Sequence, residues 1–239
     1  MNGRIVKTLI KKDFKNCFLN KNLLFSLAIP VGFCILYNYL LSDMVGLNSV
    51  YVLQMCAIFS IGVVPTTILP VMIAEEKEKY TLRSLMLAQV QGKEFLAGKL
   101  TVCVTLTFAD ALLVFFIAGG ELKTLGIYTV SVLLATVGLS FLGAVAGLVS
   151  KDQSSAGTVG APLLLVTMIP PLFSMLNSTI EKIASVLPTT SFQTLYLSAV
   201  EGEALMSREN LIAFLVCILW IVGGYLIFHI FYKKRGMDY

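Results

Sequence analysis

Along this chain, long stretches almost devoid of charge alternate with short stretches where charge is gathered. Six of the apolar stretches reach about 20 residues, the length an α-helix needs to cross a hydrocarbon layer of roughly 30 Å. They run from Leu23 to Ser42, Val50 to Ala74, Leu100 to Ala118, Gly126 to Val149, Ala156 to Leu176 and Leu211 to Tyr232. Asp110 interrupts the third, and the other five hold no Asp, Glu, Lys or Arg. Runs this long decide for helix, whereas an outer-membrane barrel would alternate polar and apolar positions. The pattern predicts an all-α polytopic membrane protein whose six spans form one transmembrane domain over residues 1–239.

The connecting segments are patterned too. Residues 4–20 place Val6, Leu9, Ile10, Phe14, Cys17 and Phe18 near one helical face, with Lys7, Lys11 and Lys15 on another. That spacing predicts an amphipathic helix along the membrane surface, or equally a basic flank that happens to be helical. Residues 75–98 form a long polar connection. It begins with Glu75 and Lys79 as an i, i+4 pair, continues with an apolar stripe of Leu82, Leu85 and Met86, and breaks at Gln91-Gly92. A short helix with such a stripe must bury it against something. In residues 177–210, Ile180, Ile183, Ala184 and Leu187 precede Pro188, and Phe192, Leu195, Tyr196 and Ala199 follow it. Two short helices around a proline fit that spacing, and a lid resting on the bilayer is the simpler alternative.

Composition excludes other classes. Charged residues make up 13% of the chain and hydrophobic residues 57%. A soluble domain carries about 25% charged residues, so too few are present to build a water-facing surface. Of the 18 basic residues, 15 fall on one side of the six spans. The positive-inside bias makes that side the cytoplasm, holding both termini, and places the chain in the plasma membrane. The net charge of +4 thus reflects topology, and a nucleic-acid partner has little support. The first apolar stretch is too long for the core of a cleavable signal peptide. The five cysteines include no CxxC pair and read as small apolar residues rather than as disulfides or metal ligands.

Missing motifs narrow the mechanism. No GxxxxGK[ST] phosphate loop is present, so energy from ATP would have to come from a partner chain that binds ATP and Mg. A metalloprotease around Glu75-Glu76 would require more ligands than the single histidine, His229, can supply, and a Ser or Cys hydrolase lacks its base. The chain therefore reads as a non-enzyme with no metal site or cofactor of its own.

The stretch Glu75-Glu76-Lys77-Glu78, followed by Thr81-Leu82 and by Gly98-Lys99 before the third span, resembles the signature of the permease subunits of type-2 ABC exporters. The resemblance implies that Thr81 to Ala88 is a coupling helix docked on an ATP-binding subunit, with Glu75, Glu76, Glu78, Lys79, Thr81, Leu82, Leu85 and Met86 forming the coupling region. It implies a second permease subunit, identical or related, met through the first and fifth spans. It also implies outer helices that dip into the membrane between the fifth and sixth spans. Tyr80 stands where the family often has a small residue. Short permeases of this kind serve peptide export or self-immunity in Gram-positive bacteria, so amphipathic or antimicrobial peptides and hydrophobic drugs are the implied substrates.

Asp110 lies 11 residues beyond Lys99, about 16 Å along a helix and near the membrane midplane. Intramembrane carboxylates tend to face bundle interiors or aqueous cavities. Three readings stay open: a substrate pathway with Thr107, Pro170 and Pro171, a protonated carboxyl bonded to Thr107 or another helix, and an outer end that simply reaches water. An ion-coupled carrier or channel using Asp110 is the alternative function. Gly143 and Gly147 form a GxxxG in the fourth span, and Gly157 and Gly160 open the fifth, so backbones can approach closely at both places.

Overall fold

The computed structural model describes residues 3–41, 49–174, 177–204 and 206–235, leaving aside the side chains of Leu41, Arg83, Met86 and residues 233–235. The predicted ends of the first span at Ser42 and of the fifth at Leu176 lie outside the described residues. All regular structure among the described residues is helical. In chain order the helices are α1 (Gly3–Leu19), α2 (Lys21–Leu41), α3 (Ser49–Val63), α4 (Leu69–Glu78), α5 (Thr81–Leu87) and α6 (Gly92–Ile117). There follow α7 (Leu125–Val149), α8 (Gln153–Phe173), α9 (Ser178–Ala184), α10 (Pro188–Glu201) and α11 (Arg208–Arg235). Six continuous helical segments among the described residues are long and apolar enough to cross a membrane: α2, α3 with α4, α6, α7, α8 and α11.

Helices α3 and α4 make one rod joined by a π-helical turn, Val64–Ile68. Pro65 in that turn has no N–H to give, and the wider turn accommodates its ring where an α-helix would kink. The Thr66 and Thr67 hydroxyls donate to the Gly62 and Val63 carbonyls, at 2.8 Å and 2.6 Å. The π turn thus takes the place of a proline kink at Pro65.

This rod and α7 form the interior, with α7 packed on α4, α6, α10 and α11. One apolar core gathers Leu53, Ile58, Phe115, Tyr128, Phe192 and Tyr196 from α3, α6, α7 and α10. A second gathers Leu69, Ile73, Phe95, Val102, Phe141 and Phe228 toward the α5 end. Helices α2, α8 and α11 lie at the periphery with many apolar side chains exposed, Phe25, Leu165 and Leu219 among them. In water such surface would be a liability; against lipid or another apolar helix it is the natural exterior.

Two helices around Pro188 occur in residues 177–210, and Pro188 opens α10 as its first residue, where its missing N–H costs nothing. Helix α10 is no loose lid. Phe192, Leu195 and Tyr196 are buried, the Thr189 hydroxyl donates to the Thr167 carbonyl at 2.7 Å, and the Trp220 indole donates to the Val186 carbonyl at 2.6 Å.

Candidate coupling site and polar cavity

Helix α4 carries a buried row of Leu69, Met72, Ile73 and Glu76, so its apolar face runs on into a carboxylate. Glu76 was expected among the residues of the coupling region, but it is 3% exposed and faces inward. Its Oε1 accepts from Lys99 of α6 at 3.0 Å and from Lys12 of α1, and its Oε2 accepts from the Thr81 hydroxyl that starts α5. Lys99, 2% exposed, also donates to Asp13 Oδ1 at 2.8 Å and to the Met72 carbonyl at 3.4 Å, so its three ammonium protons meet three acceptors. The ammonium lies 5.5 Å from the centre of the Phe95 ring. Two cations and two anions from α1, α4 and α6 balance one another in this cluster. Burial raises the Asp13 carboxyl above its ordinary value, and the Lys99 ammonium opposes that shift.

The other acidic-stretch residues also turn to the protein itself. Lys77 donates to the Leu148 carbonyl at 2.7 Å and to the Ser150 carbonyl, closing the end of α7. Glu78 accepts from the backbone and side-chain nitrogens of Gln153, at 3.1 Å and 3.2 Å, at the start of α8. Glu75 pairs with Lys79 one turn on, and that hydrogen bond raises the Lys79 ammonium above its ordinary value.

Helix α5 is bracketed by Tyr80 (φ 55°) and Gln89 (φ 60°), two non-glycine residues in the left-handed region. Such residues cost energy and are informative where they persist. Half-buried Leu82 and Leu85 pack against the protein's own second core. The stripe that demanded a partner is therefore largely satisfied within the chain. The Met86 side chain lies outside those described. Among the described side chains, the large exposed apolar groups of this region are Tyr80 at 76% and Leu87 at 79%, residues that periodicity passed over.

The four residues grouped as a pathway do not converge. Thr107 is fully buried and donates to the Cys103 carbonyl at 3.0 Å. Asp110 is 3% exposed, with its Oδ2 unpartnered among the described residues. That burial argues against an outer end that simply reaches water. Pro170 and Pro171 lie at the far end of α8, which packs on α3, α4, α9 and α10. A cavity of about 480 Å³ opens where α3, α8, α9, α10 and α11 meet, and its lining includes Gln54, Glu181, Thr190, Gln193, Thr194 and Glu209 but none of those four residues. Its lining joins these polar groups to apolar ones such as Leu197, Ile212 and Ala213.

The glycines divide as well. A Cβ on Gly143 would lie 1.8 Å from the Pro65 carbonyl oxygen, one on Gly147 would lie 2.7 Å from Ile73 Cβ, and one on Gly160 would lie 2.4 Å from the Thr66 carbonyl oxygen. All three seat α7 and α8 against the π turn and α4 of the same chain. A Cβ on Gly157 would meet nothing within 4 Å, so that glycine does not serve packing inside the protomer.

An all-helical bundle of six apolar spans, with a charged junction binding its helices at one end, defines a polytopic integral membrane protein. The family model described as ABC-2 family transporter protein matches residues 20–232. The chain belongs to this family of ABC transporter membrane proteins. No curated protein sequence matches it significantly.

Proposed function

We propose that the chain is the transmembrane permease subunit of an ATP-driven exporter. It works as two such subunits, identical or related, with two ATP-binding subunits that hold ATP and Mg. The observation that carries this reading is the family match across nearly all of the membrane domain, joined to a short helix placed just beyond the second span. Both termini and α5 face the cytoplasm, and α9 and α10 lie at the opposite face of a bacterial plasma membrane. Closure of the ATP-binding subunits displaces α5, and the spans open outward.

Among the described side chains, Tyr80 just before α5 and Leu87 at its end are the apolar groups offered to the ATP-binding subunit, since Leu82 and Leu85 are engaged by the core. The left-handed backbone at Tyr80 separates α5 from α4, and the Tyr80 side chain is exposed. Glu181 and Glu209, facing one cavity among hydroxyls and amides, favour cationic amphipathic peptides over neutral drugs. The acidic residues Glu201 and Glu203 add to the negative charge of the same segment.

The test is purification of the tagged chain from membranes with identification of what accompanies it. An ATP-binding chain whose hydrolysis is stimulated by peptide supports the reading. Purified chain that transports in proteoliposomes without any ATP-binding chain refutes it in favour of an ion-coupled carrier.

A further inference from the structure

The charge cluster at the root of α5 has a geometry that assigns it a task. Its four charges come from α1 (Lys12 and Asp13), α4 (Glu76) and α6 (Lys99). The fourth helix, α5, joins through the Thr81 hydroxyl, which donates to the Glu76 side chain and also to the Glu76 carbonyl at 3.1 Å. The close packing that makes this possible is specific. Leu9, Asp13 and Cys17 form the buried row of α1, and a Cβ on Gly98 would lie 3.1 Å from Leu9 Cβ. Gly98 lets α1 approach α6, and the next residue, Lys99, reaches across to Asp13. Nothing about catalysis or ligand binding uses these groups, and four buried or half-buried charges are an expensive way to hold helices that already share an apolar core.

We propose that Lys99 is a positioning residue of the transport cycle. It locks α1 and α6 to Glu76, so that a displacement of α5 passed through Thr81 moves the surface helix and the third span together. This rests on the reading of α5 as the coupling helix. An apolar contact tolerates sliding, whereas a saturated ammonium between two carboxylates holds direction and distance. The stroke then reaches α2 through α1, and the third span directly, instead of being spent on bending the end of α4 alone.

The experiment compares variants of the full complex, with its ATP-binding subunits, in proteoliposomes, measuring peptide transport and ATP hydrolysis in the same sample. Thr81→Val keeps the side-chain shape and removes the hydroxyl that joins α5 to the cluster. In complexes matched for their content of ATP-binding subunit, transport per ATP hydrolysed is expected to fall several-fold. Lys99→Met is expected to lower that ratio tenfold or more. The charge exchange of Asp13→Lys with Lys99→Asp restores part of the loss, an outcome that mere apolar bulk at position 99 would not give. Should Lys99→Met fail to assemble, Thr81→Val and the exchange carry the decision. Wild-type transport per ATP in Thr81→Val, with the complex intact, overturns the proposal. A different failure belongs to the coupling reading itself: the wild-type chain then captures no ATP-binding subunit at all, and no ratio is there to change.

Discussion

Gly143→Ala adds a single methyl group where the structure has no room for it. The new Cβ would sit 1.8 Å from the Pro65 carbonyl oxygen and 2.9 Å from its carbon. An unstrained C···O contact needs about 3.3 Å, so α7 and the π turn must part by roughly 1.5 Å. Neither side yields cheaply. The obstacle is backbone, held in a π turn by Pro65 and by the Thr66 and Thr67 hydroxyls, and α7 is packed on several sides. Overpacking of this kind costs about 1–3 kcal/mol, and the backbone contact argues for the upper half of that range. Against it stands the better helix propensity of alanine, worth up to about 1 kcal/mol. The net loss expected is about 1–2 kcal/mol, or a melting temperature lower by roughly 3–6 °C for a chain of this size. Gly157→Ala is the matched control. It makes the same chemical change inside α8 with nothing within 4 Å, so it should melt at or slightly above the wild-type temperature. Thermal denaturation of the detergent-solubilised monomer, read by loss of the monodisperse peak, measures both. Equal melting of Gly143→Ala and wild type, or an equal loss in Gly157→Ala, would refute the assignment of the GxxxG to packing within the protomer.

Three further perturbations separate docking, fold and substrate. Leu87→Asp should weaken capture of the ATP-binding subunit at least tenfold while leaving the melting temperature unchanged, because Leu87 is exposed; Leu85→Asp should instead destabilise the chain itself, since Leu85 packs on the second core. Identical effects of the two variants on capture and melting would count against that division. Asp110→Asn is expected to retain export, because Asp110 is buried and absent from the cavity lining, and loss of export with an intact fold would return this residue to the pathway. Glu181→Gln combined with Glu209→Gln should reduce export of a cationic peptide several-fold and spare a neutral analogue, as measured by flux in vesicles; equal reduction of both would remove the electrostatic argument.

The six spans were legible because a hydrocarbon layer imposes a length and excludes charge, and both constraints act on the sequence locally. The break at Pro188 and the break before Gly92 were legible for a similar reason, since proline and glycine act on their own backbone. The charge cluster was half legible. Asp13 stands four residues after Leu9 and four before Cys17, so it lies inside the apolar row of α1, and Glu76 stands four residues after Met72 in the same manner. A carboxylate in an apolar row calls for a cation, and periodicity does not say which of the nearby lysines supplies it. Only the fold brings Lys99, 86 residues on from Asp13, to that place.

The stripe on α5 marks the limit of that kind of reading. Periodicity shows that Leu82 and Leu85 need burial, but the free energy of removing a leucine from water is the same whether its neighbours belong to its own chain or to another. The amphipathic pattern therefore could not distinguish the face that seats α5 on the second core from the face that meets a partner. What distinguishes them is the remainder: once Leu82 and Leu85 are engaged, the apolar groups still in solvent among the described side chains, Tyr80 and Leu87, are those that a partner can gain by covering. Tyr80 is also the residue held in a left-handed backbone, where a glycine would sit at lower cost. Retaining a large aromatic side chain at such a position makes sense if the side chain is used outside the fold, and Tyr80→Gly tests it directly. That variant should keep or raise the melting temperature while weakening capture of the ATP-binding subunit. A variant that gains stability and binds the subunit as tightly as wild type would show that the phenol takes no part in docking.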